Sequence, residues 1–183
     1  DTTKPTVSTF SAPNLTTDVP ALEQSAIDDV VTAFANSPVT NPDGIDGVTL
    51  HVDNGATSVM DPASGALWGA LSDQDSISHQ DTLGTTVANN YNWSAFDTLK
   101  TANFSDARKP AFHYAISAHA HDGTYSGVSR DLGASDFLVT LGAGCTTRRG
   151  SDCTLDALEQ AGTFMHELGH NLGLTVVAEG VET

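Results

Sequence analysis

Three observations predict a mixed α/β fold of modest size. Three segments show helical periodicity, the segments between them alternate apolar and polar residues, and 183 residues suit one domain. The predicted order is α, β, α, β, β, α with no internal repeat, a layered α+β arrangement. At 39% hydrophobic residues the chain can bury a core without a disulfide scaffold.

Residues 1–20 carry Pro5, Pro13 and Pro20 among Thr and Ser without periodicity, so they read as an extended N-terminal arm. A first helix begins at Ala21. Leu22, Ala26, Ile27, Val30, Val31 and Phe34 recur at helical steps, with Asp18 as N-cap, Pro20 in the first turn and Asn36-Ser37-Pro38 as the stop. TNPDGIDG is a turn by its chemistry, and VTLHVD then alternates as a half-buried strand. Residues 54–90 form a long polar stretch of the kind that is functional or held by a ligand. WSAFDTLKTANF predicts a second helix, AFHYAISAHA a second strand and DFLVTLG a third. TLDALEQAGTFMHELGHNLG is a third helix, capped by Asp152 or Thr154.

Seven Lys and Arg stand against 23 Asp and Glu, for a net charge of −16. Nucleic acid and anionic membrane surfaces would be repelled and are excluded as partners. The acidity comes from 18 Asp and only 5 Glu, which favours turns, caps and calcium sites over solvated helices. No apolar run is long enough to span a membrane. DTTKPTVSTF has no apolar signal core, so the protein is either cytosolic or had a signal removed before Asp1. The Thr- and Asp-rich, Lys-poor composition favours secretion. In a secreted chain, Cys145 and Cys153 would close the polar loop CTTRRGSDC as a local disulfide; the other reading is two thiols.

The chemistry lies on the third helix. His166, Glu167 and His170 form H-E-x-x-H, whose i and i+4 histidines share a helix face and can reach one metal ion. Glu167 beside them can take a proton from water activated by zinc and pass it to a leaving amine. Gly173, three residues past His170, can end the helix in a left-handed turn. A core helix with two hydrogen-bonded histidines is the bland alternative, disfavoured by the cost of burying Glu and two His.

HELGHNLGL resembles the active-site helix of the metzincin zinc metallopeptidases, whose pattern is HExxHxxGxxH. NPDGIDGVTLHVDNG, AFHYAISAHA and SGVSRDLGASDFLVTLG are also similar to secreted bacterial and archaeal peptidases of that type. The resemblance implies a metzincin-like upper subdomain over 21–174, a mixed twisted sheet packed on a backing helix and an active-site helix. It implies a secreted zinc metalloendopeptidase with His166 and His170 as zinc ligands and Glu167 as general base. It further implies that Asp136, Phe137, Leu138, Val139, Thr140 and Leu141 line the cleft and pair with an extended protein or peptide substrate.

Two departures qualify this. The family's third histidine would fall at Val176, and Met60 and Met165, the only methionines, both precede the histidines, so the Met-turn is missing. Glu179 and Glu182 in the atypical tail 175–183 are candidate third ligands, with water or an external group as the alternative. Loss of a ligand weakens zinc binding and predicts low activity. The second reading is therefore a peptidase-like module that holds zinc or peptide without turnover. LTVVAEGVET is similar to a segment of EAL-type cyclic-dinucleotide phosphodiesterases, but no other part of the chain resembles them.

The remaining candidates have plainer readings. His119 and His121 would form a second metal pair on a strand face or, more simply, a polar strand end. His51 and His113 read as hydrogen-bonded structural residues, and His79 as solvated. Asp43 with Asp46, or Asp73 with Asp75, have calcium-ligand spacing, against which stands ordinary Asx-turn chemistry. Arg148 and Arg149 read as solvated, and Trp68 and Trp93 as core or cleft-wall residues.

Overall fold

The computed structural model describes residues 6–11, 22–54, 64–67, 80, 82–88, 90–123, 125–141 and 157–175. Within them the fold is mixed α/β, with three helices, one mixed sheet and one hairpin. The helices are α1 (Gln24–Ala35), α2 (Ser94–Asn103) and α3 (Ala157–Asn171). The sheet strands are β1 (Thr6–Ser11), β2 (His51–Asp53), β5 (Phe112–Ser117), β6 (Gly127–Ser129) and β7 (Asp136–Val139). Their order is β2-β1-β5-β7-β6, parallel except for β6, which runs antiparallel to β7 and forms one edge. A separate hairpin pairs β3 (Thr85–Val87) with β4 (Asn90–Asn92).

Period-2 alternation in β5 and β7 divides the core into two layers. Ala115, Phe137 and Val139 face α1 and α3, joining Ile27, Val30, Phe164 and Leu168. Tyr114, Ile116 and Leu138 face the other way, against Phe96 of α2 with Phe104 and Leu83. Both sheet faces are therefore covered, and β7 is buried along its whole length. A buried ion pair joins two ends of this frame: Arg108 Nη2 lies 2.7 Å from Asp53 Oδ2, and its guanidinium stacks 4.1 Å from the Phe112 ring centre. α1 begins at Gln24 with Glu23, not Asp18, as its N-cap residue, and no side chain caps it there. Instead Gln160 of α3 accepts a hydrogen bond from the Glu23 N–H at 2.7 Å, tying the two helices together.

The structure corrects several sequence readings. Residues 6–11 are not a free arm: β1 pairs with β2 on one side and β5 on the other. The long polar stretch 54–90 contains β3 and the start of β4. β2 is shorter than the alternation in VTLHVD suggests, starting only at His51. The NPDGIDG segment is a turn as predicted, with Asp43 Oδ1 accepting from the Ile45 N–H at 3.0 Å, so Asx chemistry accounts for that aspartate. Gly47 in this turn has φ +94°, and a Cβ there would lie 1.9 Å from the Ala35 carbonyl oxygen. The cysteines Cys145 and Cys153 lie outside the described residues, as do Asp18, Pro20, His79, Asp73, Asp75, the Asp152 and Thr154 caps, Trp68, Arg148 and Arg149. No helix among the described residues is long and apolar enough to cross a membrane.

Candidate metal centre and its cleft

α3 packs across β6 and β7 with Phe164 and Leu168 inward, because these apolar positions recur at helical spacing. That rotation places His166 on the exposed side, His170 at the boundary and Glu167 inside. The two Nε2 atoms approach to 3.1 Å, with the rings edge-on at 86°. Two nitrogens each about 2.05 Å from a tetrahedral zinc ion would stand about 3.3 Å apart. That spacing would admit one ion between the imidazoles, and it equally suits a direct N–H···N hydrogen bond.

His170 is further prepared by its surroundings. Its Nδ1 lies 3.0 Å from the Leu174 carbonyl oxygen. A carbonyl only accepts, so Nδ1 carries the proton and the Nε2 lone pair is left for a metal. Leu174 reaches this position because Gly173 adopts φ +84°, which reverses the chain past the helix end. The His170 carbonyl in turn accepts from the Gly133 and Gly173 N–H groups, both at 2.9 Å.

Next to His170, Asn171 is buried and fully engaged. It donates to Ser129 Oγ at 2.5 Å and to the Asp136 carbonyl at 3.2 Å, and its Oδ1 pairs with His113 Nδ1 at 3.1 Å. One side chain thereby fixes the end of α3 to β5, β6 and β7. His113 is a structural histidine, in line with its position in a strand pattern. His121 is buried as well, 2.8 Å from Thr140 Oγ1, and burial holds its imidazole below the usual histidine pKa. It follows the end of β5 rather than sitting within the strand.

Glu167 is 6% exposed, and burial raises its carboxyl from 4.5 to about 7, with the Ser129 N–H pulling the other way. Its side chain lies against Gly127. Beside it opens a cleft of about 870 Å³ between α3, from Gly162 to His170, and β6 with its flanking residues, from Tyr125 to Leu132.

The cleft wall is β6 rather than β7, which corrects the assignment of Asp136, Phe137, Leu138, Val139, Thr140 and Leu141. All six are at least 91% buried; 136–139 pair with β5, and 137–139 also pair with β6 on the other side. Asp136 is occupied by Lys100 and by Arg130 Nε at 2.9 Å. Sequence reasoning missed Gly127, Ser129 and the Leu174 carbonyl. A glycine inside the short SGVS strand pattern was the available signal, since such a glycine often marks close backbone approach. Among the described residues no third His, Cys, Asp or Glu joins His166 and His170. Glu179 and Glu182, the candidate third ligands, lie outside the described residues. Comparison with protein-family models, curated proteins and solved structures found no match.

Proposed function

We propose that this chain is the catalytic upper subdomain of a secreted, metzincin-like zinc metalloendopeptidase. The observation that carries the reading is the convergence of the His166 and His170 Nε2 atoms at 3.1 Å, with a buried carboxyl on the residue between them. Zinc, when bound by the two imidazoles, would supply Lewis acidity toward a peptide carbonyl and its attacking water. An extended peptide would dock along the outer edge of β6, which has no strand partner beyond it among the described residues. Glu167 would then take a proton from water at the scissile carbonyl and return it to the departing amine. In the metal-free chain burial raises that carboxyl to about 7, and a zinc ion beside it would lower it toward the range of a base that works near neutral pH.

The absence of a third protein donor among the described residues favours a second reading, a peptidase-like module that holds metal or peptide without turnover. One experiment separates them. The purified chain is supplied with zinc, its metal content is measured, and hydrolysis of an internally quenched peptide panel is followed for wild type and Glu167→Ala. The catalytic reading expects slow, zinc-dependent, chelator-sensitive cleavage that falls by about 100-fold or more in the variant. Equal residual activity in the two proteins would sink it.

A further inference from the structure

We infer that Gly127 is a positioning residue for Glu167, and that the edge strand seats this carboxylate on bare backbone. A Cβ at Gly127 would lie 2.7 Å from Glu167 Cγ, 2.8 Å from its Oε1 and 2.8 Å from the Leu138 carbonyl oxygen. Gly127 is not among the positive-φ glycines, so space rather than backbone freedom explains it. Residues two apart on a strand share a face. Gly127 leaves that face open for Glu167, while the Ser129 side chain on the same face receives Asn171 and its N–H bonds the Glu167 carboxylate. Thr163 Oγ1 donates to Ser126 Oγ at 3.1 Å and fixes the other end of the same helix–strand contact.

The catalytic consequence rests on the peptidase reading; the geometry does not. One short strand would present its outer edge to the substrate and its inner face to the general base. The separation between peptide backbone and carboxylate is then set by the missing side chain at Gly127. A methyl group there must push Glu167 away, or part β6 from β7, before ordinary contact distances return.

The test compares wild type with Gly127→Ala in excess zinc on a quenched peptide. Displacing the carboxylate by about 1 Å lowers kcat by about 10- to 100-fold, while KM moves by less than about two-fold. Zinc uptake, followed by competition with a chromophoric chelator, should stay unchanged, because the atoms nearest the new methyl belong to Glu167 and Leu138 rather than to the imidazoles. A second measurement needs no activity: urea denaturation of wild type, Gly127→Ala, Glu167→Ala and the double variant. Removing the Glu167 carboxyl arm should relieve the loss in folding constant caused by Gly127→Ala by roughly five-fold or more. Additive losses overturn the inference, as does an unchanged kcat in a wild type that turns over. If wild type hydrolyses nothing, the peptidase reading falls and the denaturation cycle alone decides the role of Gly127. If Gly127→Ala does not fold, a folded double variant supports the inference and an unfolded one overturns it.

Discussion

Replacing Glu167 by Gln should stabilise the metal-free protein, and only at neutral and higher pH. The buried carboxyl keeps its proton up to about 7 in the folded chain, whereas 4.5 is its ordinary value. Between those values the folded state binds more protons than the unfolded state, so stability from this group falls as pH rises. Below 4.5 both states are protonated and the residue carries no charge penalty; above about 7 the full penalty is present. At about 1.4 kcal/mol per pH unit the gap sets a ceiling of about 3 kcal/mol. Residual solvent contact and the Ser129 N–H, which Gln can also accept, bring the expected gain nearer about 2 kcal/mol. The assay is urea denaturation with chelator present, at about pH 5 and about pH 8, followed by tryptophan fluorescence. The stability gap between Glu167→Gln and wild type should be small at the lower pH and open at the higher. A gap independent of pH would refute the reasoning, because it would mean that burial does not raise this carboxyl.

Two further outcomes follow from the frame around the site. Arg108→Ala should cost about 3–5 kcal/mol, because it removes the guanidinium from a fully buried Asp53. Arg108→Met should cost less than Arg108→Ala by keeping the packing over Phe112, and equal midpoints in denaturant would contradict that split. Gly47→Ala should destabilise by at least about 2 kcal/mol, since φ +94° and the Ala35 carbonyl both oppose a side chain; a shift in melting temperature of less than about 4 °C would show that the turn relaxes freely.

The helices were legible because amphipathic spacing needs no tertiary context: Ile27, Val30, Phe164 and Leu168 all enter the core as their periodicity requires. The His166–Glu167–His170 arrangement was legible for the same reason, since i to i+4 geometry alone brings two imidazoles together. What could not be read was the pairing of distant segments. β1, as TVSTFS between prolines, has too few apolar residues to announce a strand flanked by two others. β6 is three residues long, too short for alternation to register. β7 was visible as a strand, but its uninterrupted burial means an interior position, and the cleft was accordingly placed one strand too far in. Asn171 gave no sign of its partners because His113 lies 58 residues away in sequence. The acidic surplus correctly pointed to turns, of which Asp43 is one, but carried no information about the cleft.

The position of β1 also bears on how the chain is made. Thr6 pairs with His51 and with Phe112, so the first described strand waits for a partner roughly a hundred residues downstream. At synthesis rates of about 5–20 residues per second, the β5 side of β1 stays unpaired for about 5–20 s after it emerges. Such non-local parallel pairing is slow to form and leaves a strand edge open to other chains meanwhile. The spare polarity of TVSTFS, which hid this strand from view in the sequence, then acts as a safeguard: a segment with little apolar surface can wait without recruiting a wrong partner.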